Sequence, residues 1–329
     1  MSGSQPLSSS QRVLVTGASG FVGRALVTRL LASNDFEVVA QFRSSASAQK
    51  SLGKAVVTPA INSETDWSSA LAGVNVVVHC AARVHVMNET TADPLAAFRE
   101  VNVEGTLKLA REAARSGVRR FIYLSSIKVN GEGTDGAAFT AEDDCGPTDP
   151  YGLSKWEAEK GLMELAQHSA MDVVIVRPPL IYGPGVKANF LKMIQWVDRG
   201  VPLPLALVDN RRSLVGLENL TNFLIHCIDH PGAANQVFLI SDGEDLSTPA
   251  LLRNVAQALG KPSRLLPFPV TLLRGFAELL GKRAVVDRLC GSLRVDIEKN
   301  SRVLGWTPRS SVAEELKRTV KAYREQEPR

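Results

Sequence analysis

The chain has 329 residues, which suits one large α/β domain with a second lobe better than a single minimal domain. Hydrophobic residues make up 44% and charged residues 22%, the balance of a globular protein with a real core. The net charge of +4 comes from scattered Lys and Arg, which argues against nucleic-acid binding and is compatible with a phosphate-rich small ligand. Cys80, Cys145, Cys227 and Cys290 stand far apart, with no CxxC or Cys/His spacing. No metal site or disulfide framework is expected, and this usage fits a reducing cytoplasm. Residues 1–10 are polar and Ser-rich and read as a disordered tail rather than a signal peptide. No apolar run is long enough to span a bilayer. The nearest candidate, 265–280, is broken by Pro267, Pro269, Arg274 and Glu278. It reads as a helix of a substrate lobe with too few basic residues for a lipid surface, so no membrane partner is expected.

Along the first half, short Val/Ile-rich runs alternate with helical patterns. Residues 12–16, 37–41, 74–80, 120–125 and 172–177 read as strands, and 19–33, 91–116 and 151–168 as helices. Near-continuous apolar strands separated by helices predict a doubly wound parallel sheet of the Rossmann kind, buried on both faces. After Arg177-Pro178-Pro179 the prolines cluster and the strand signals become isolated, at 213–217 and 236–240. The expected division is a dinucleotide-binding domain over 11–180 and a smaller C-terminal α/β substrate lobe over 181–329, whose chain returns to the main sheet.

The strongest local signal is Thr16-Gly17-Ala18-Ser19-Gly20-Phe21-Val22-Gly23, between the first strand and the first helix. A glycine turn lets the backbone approach a pyrophosphate, and the helix N-terminus supplies N–H groups and partial positive charge. Gly17, Ser19, Gly20, Phe21, Val22 and Gly23 are therefore candidate cofactor contacts. The second strand ends Gln41-Phe42-Arg43, without the acid that usually binds the ribose hydroxyls of NAD. Arg43 is placed to pair with a 2′-phosphate, so NADP(H) is favoured and NAD(H) is the other option.

Tyr151-Gly-Leu-Ser-Lys155 places a phenol and an ammonium four residues apart on one helix face, after Pro150 at the first helical position and Thr148 or Asp149 as cap. A phenol titrates near pH 10 and is a poor base at neutrality, so a nearby ammonium is needed to favour phenolate. Ser125 and Ser126 end the preceding strand.

The GxxGxxG turn, the YxxxK pair and the strand-end serines together resemble the extended short-chain dehydrogenase/reductase family. That resemblance implies a catalytic trio of Ser126, Tyr151 and Lys155. It also places Ser125, Ala81 and Ala82 (in His79-Cys80-Ala81-Ala82) and Asn102 beside the cofactor, with Tyr151 and Lys155 reaching it as well. Arg177-Pro-Pro-Leu-Ile-Tyr-Gly-Pro-Gly185 resembles the entry into the family's substrate lobe, and Leu304-Gly-Trp-Thr-Pro308 its structural C-terminal motif. Members with this lobe act on nucleotide-diphosphate sugars. Asn189 and Arg212 then correspond to diphosphate contacts, Arg288 to a looser second arginine, and Lys128 to a residue facing the sugar. Gly216 and Asn219 depart from the His and Asp of the family's segment after Arg212. The family habit also predicts a homodimer.

Ile127 and Lys128 stand where a dehydratase carries an acidic pair, which argues against water elimination. Arg43 and the Ser126–Asn130 pattern resemble the 4-reductases of O-antigen synthesis. These convert a UDP-4-keto-6-deoxy-N-acetylhexosamine to UDP-N-acetylquinovosamine or UDP-N-acetylfucosamine. A UDP-glucose or UDP-N-acetylglucosamine 4-epimerase is the alternative. A non-catalytic NADP-binding sensor or scaffold is a third, disfavoured because the serine and the YxxxK pair are intact.

Overall fold

The computed structural model describes residues 11–49, 51, 53–84, 93–279, 281 and 283–326; the expected tail at 1–10 lies outside them. The first strand, β1 (Gln11–Thr16), is buried through Val13, Leu14 and Val15, as a strand covered on both faces must be. It pairs in parallel with β2 (Phe36–Phe42) on one side, Val13 opposite Val38. On the other side it pairs in parallel with β4 (Val76–His79), Val13 opposite Val76. With β3 (Lys54–Val57), β5 (Arg120–Leu124), β6 (Asp172–Arg177) and β9 (Gln236–Leu239) they form a seven-stranded sheet in the order β3-β2-β1-β4-β5-β6-β9. The chain reverses its direction of growth between β1 and β4, the switch point beside which ligands bind in open α/β sheets.

β3 was not legible as a strand. It is a four-residue edge strand whose residues are largely exposed, so it carries no apolar alternation. A second, three-stranded sheet joins β7 (Leu180–Tyr182), β8 (Arg212–Gly216) and β10 (Asp245–Leu246), with β7 parallel and β10 antiparallel to β8. Its core is helical: Phe190 and Ile194, Leu252 and Val255, and Leu316 and Val320 pack together with Tyr182 and Leu214.

Two compact units emerge from these contacts. One holds the described residues up to Ser125 together with Leu153–Ile175 and Leu224–Gln236. The other holds Ser126–Gly152, Val176–Phe223 and the described residues from Val237 onward. Among the described residues no helix is long and apolar enough to cross a membrane.

Candidate active site

The glycine turn has the shape its sequence requires. Gly17 sits at φ +67°, and a Cβ there would lie 2.9 Å from the backbone of Ala81. Gly20 caps the helix Phe21–Ser33 without a side chain and donates its N–H to the Gly17 carbonyl at 2.8 Å. A Cβ on Gly23 would stand 2.2 Å from that same carbonyl oxygen. Ser19 and Gly20 are exposed, Phe21 is half-buried, and Val22 is buried in the helix's inner face. The turn thus presents open backbone at a helix N-terminus, which fits a dinucleotide's diphosphate.

Sequence reasoning missed what fixes this turn. Buried Gln41 accepts from Gly17 N through Oε1 at 3.0 Å and donates to the Thr58 carbonyl at 3.2 Å. Its own carbonyl accepts from Ala18 N at 3.1 Å. The one available signal was an amide in place of the last apolar residues of a buried strand. Arg43, two residues on, is exposed just beyond β2.

At the end of β4, His79 is buried between two hydroxyls, Nδ1 at 2.7 Å from Thr16 Oγ1 and Nε2 at 3.0 Å from Thr106 Oγ1. Burial, with a lesser push from Lys155, takes the imidazole down to about 3, so it is neutral and structural. Ala81 and Ala82 follow half-buried, and Ala81 N donates to Thr16 Oγ1 at 3.3 Å. Asn102, buried in a π-helical turn (Glu100–Gly105), clamps the next residue of this segment. Its Oδ1 accepts from Arg83 N at 2.8 Å, and its Nδ2 donates to the Arg83 carbonyl and to Ser154 Oγ, both at 3.0 Å.

The helix Pro150–Gln167 carries both Tyr151 and Lys155, one turn apart. Asp149 is its cap: Oδ1 accepts from Gly152 N at 2.6 Å. Lys155 is buried, donates to the Leu124 carbonyl at 2.9 Å, and lies 4.5 Å from the centre of the Tyr123 ring. Burial pulls its ammonium down to about 7, against the opposing charge of Glu159. Ser125 donates its hydroxyl to the buried carboxylate of Glu159, a partner that spacing alone did not reveal. Cys80 is pushed up to about 12 by burial and stays a thiol.

Ser126 and Tyr151 share a side-chain hydrogen bond. Burial, then the Asp149 carboxylate, pushes the Tyr151 phenol up to about 12, and the Ser126 bond works the other way. Lys128 donates its ammonium to Asp149 and, at 2.7 Å, to Glu132 Oε1. Burial disfavours its charge, but these hydrogen bonds and carboxylates outweigh that and hold its pKa above the usual lysine value. The same carboxylate therefore caps the helix, pairs with Lys128 and bears on Tyr151.

Of the expected diphosphate contacts, Arg212 meets Arg288 through the latter's backbone. Arg212 Nη1 donates to the Arg288 carbonyl at 2.8 Å and to the Gly291 carbonyl at 3.0 Å, while the Arg288 side chain is exposed. Asn189 is exposed in the first turn of the helix Ala188–Asp198. Gly216 and Asn219, where the chain departs from the family pattern, meet in a buried knot around Asp242. Its Oδ1 accepts from both Gly216 N and Asn219 Nδ2 at 2.8 Å, and Tyr182 Oη donates to its Oδ2 at 2.7 Å. A Cβ at 216 would stand 2.3 Å from Glu315 Cγ, so no larger residue fits there. Among the described residues no group of three or more His, Cys, Asp or Glu is placed to hold a metal ion.

Residues 13–241 match the family model described as the NAD dependent epimerase/dehydratase family. The chain is 49% identical over 313 residues to a UDP-glucose 4-epimerase of Vibrio cholerae, covering 94% of this chain and 95% of that one. It is 27% identical to an N-acetyl-alpha-D-glucosaminyl-diphospho-ditrans,octacis-undecaprenol 4-epimerase of Escherichia coli O157:H7, covering 88% of each. The fold matches a UDP-glucuronic acid 4-epimerase of Bacillus cereus solved with NAD, at a TM-score of 0.77 and 19% identity over 96% of this chain and 99% of that one. With its glycine turn and YxxxK helix in the expected places, this chain belongs to the NAD-dependent epimerase/dehydratase family.

Proposed function

We propose that this chain is an NAD-dependent UDP-sugar 4-epimerase. The observation that carries the reading is the hydrogen bond between Ser126 and Tyr151 at the start of the helix that also bears Lys155. The 49% identity to a UDP-glucose 4-epimerase over nearly the whole chain favours epimerase over reductase, the reverse of the order the sequence motifs suggested.

A nicotinamide dinucleotide held at the glycine turn Gly17–Gly23 would supply reversible hydride transfer at the sugar carbon. Tyr151 moves the proton at the sugar oxygen. Its raised phenol is protonated at neutral pH, the state needed to return a proton to a 4-keto oxygen. Ser126 holds that oxygen as charge develops on it. Lys155 supplies the ammonium that favours phenolate in the opposite direction. Arg212 and Arg288 take the diphosphate, whose oxygens match a guanidinium fork. Asn189 adds a contact to the diphosphate, and Lys128 one near the sugar. Ala81, Ala82, Asn102, Ser125 and the glycine turn would hold the dinucleotide.

A second reading keeps one specific support. Arg43, exposed at the end of β2 where an acid would select NAD, favours NADPH and hence a 4-ketoreductase of a UDP-4-keto-6-deoxy-N-acetylhexosamine. One experiment separates the two. Purified protein with NAD is given UDP-glucose or UDP-N-acetylglucosamine, and the anomeric proton signals are followed. Appearance of the C4 epimer is expected. No interconversion, together with NADPH oxidation on addition of the 4-keto sugar, replaces the epimerase with the reductase.

A further inference from the structure

Two side chains of the helix Pro150–Gln167, one turn apart, hold successive residues at the end of β5. Lys155 Nζ donates to the Leu124 carbonyl at 2.9 Å, and the Glu159 carboxylate accepts the Ser125 hydroxyl. Both are nearly out of water, Lys155 at 2% and Glu159 at 3% exposure. The reaction proposed above uses Lys155 and gives Glu159 no part. Yet a buried carboxylate is costly unless a nearby group offsets its charge. The i,i+4 separation puts Glu159 on the same helix face as Lys155.

The groups that bear on the Lys155 ammonium come from three elements. His79 and Cys80 stand at the end of β4. The Tyr123 ring comes from β5, its centre 4.5 Å from Nζ. Tyr151 and Glu159 come from the same helix as the lysine. Burial keeps His79 neutral, Cys80 a thiol and Tyr151 a phenol at neutral pH. The Tyr123 ring attracts the cation through its face. Among these groups Glu159 is the one that carries a full negative charge. Burial alone drives a lysine towards its neutral form. An amide at 159 would accept the same serine hydrogen bond, so that bond does not explain why the residue is an acid. The neighbouring ammonium does.

We infer that Glu159 is a positioning residue of this site: its carboxylate is the counter-ion that keeps Lys155 charged, and its bond to Ser125 ties that pair to the strand end leading into Ser126. This role rests on the reading of Lys155 as the ammonium that assists Tyr151. Glu159 acts through Lys155 rather than on the sugar.

The test is Glu159→Gln in the full chain, which keeps the shape and the acceptor for Ser125 and removes the charge. Turnover of UDP-glucose or UDP-N-acetylglucosamine with NAD is measured against pH. Activity should fall on the alkaline side as Lys155 loses its proton, and in Glu159→Gln that fall should come about one to three pH units lower. At about pH 8 kcat should drop roughly tenfold or more, with KM within a few-fold of the natural value. An alkaline fall at the natural pH overturns the inference. A second measurement depends neither on activity nor on Glu159→Gln folding by itself. Urea midpoints are compared for Lys155→Met and for Lys155→Met combined with Glu159→Gln. Lys155→Met leaves the buried carboxylate without its cation, so the double variant should unfold at the higher urea concentration. An equal or lower midpoint overturns the inference. Absence of turnover in the natural protein would instead remove the epimerase reading, and the urea comparison would still decide whether Glu159 and Lys155 are paired.

Discussion

Lys155 Nζ donates to the Leu124 carbonyl at 2.9 Å, so the strand before Ser126 anchors the ammonium. The helix presents it, but the strand fixes where it ends. Burial lowers this lysine from 10.5 to about 7. Between these two values the unfolded chain binds more protons than the native one, so stability rises with pH across that window and the cost of the buried charge is complete below it. Lys155→Met should therefore lose turnover, and its melting temperature relative to the natural protein should be most favourable near pH 7 and fall as pH approaches 10.5. Thermal melts of the two proteins across this range check it; a constant difference would remove the assignment of a depressed lysine.

Tyr151 differs in kind from Lys155, because in the proposed reaction its proton is the one transferred. Tyr151→Phe keeps the ring and loses only the hydroxyl that meets Ser126. Turnover should fall by roughly 10²–10⁴-fold. Calorimetric titration with UDP should give a Kd within a few-fold of the natural one. Retained turnover would move the proton transfer to another group.

What could be read from the sequence was whatever lay close along the chain. Gly17, Gly20 and Gly23, the Tyr151–Lys155 pair and the Pro150 start all follow from spacings of a few residues in one turn or one helix. Gln41, Glu159 and Asp242 were missed as site-shaping groups because their roles come from partners far away. Gln41 meets a turn 24 positions back, Glu159 a serine 34 positions back, and Asp242 a backbone N–H 26 positions back. Asp149 was legible as a possible cap, but its pairing with Lys128 depends on how the segment after β5 folds. The edge strand β3 escaped because exposure removes the apolar pattern by which strands are recognised.

The glycine turn gives a prediction with its own control. Gly23→Ala places a methyl group 2.2 Å from the Gly17 carbonyl oxygen, so the turn or the helix must move. A cost of about 1–3 kcal/mol in stability is expected, together with weaker NAD binding. Gly275→Ala, in the helix Val270–Leu279, meets no heavy atom within 4 Å. There the change should be neutral or stabilising by about 0.5–1 kcal/mol. Denaturant melts and NAD titrations on both variants measure the contrast.

The proposed role of Arg43 can be tested against the two dinucleotides. Exposed beyond β2, it is free of the burial that would tie it to the core. If it meets a 2′-phosphate, Arg43→Ala should reduce NADPH affinity relative to NADH by roughly ten- to a hundredfold. Fluorescence titrations with the two reduced cofactors give the ratio. An unchanged ratio leaves NAD as the working cofactor and removes the main support for the reductase.

The buried knot around Asp242 makes the last prediction, and it concerns stability rather than chemistry. Glu315 is fully buried beneath Gly216, with Arg318 Nη1 donating to its Oε1 at 2.8 Å. Burial first, then the charge of Asp242, raises its carboxyl from 4.5 to about 7, against the pull of Arg318. A raised acid is held protonated in the native state while the unfolded chain has already released its proton. Stability from this group is therefore complete below 4.5 and lost as pH rises through about 7. Glu315→Gln does not ionise and should be the more stable protein above that range, by on the order of 1–3 kcal/mol. The advantage should shrink steadily on acidification and vanish near pH 4.5. Chemical denaturation of both proteins at several pH values measures this, and an advantage that persists undiminished into acid would mean that Glu315 is already charged in the fold.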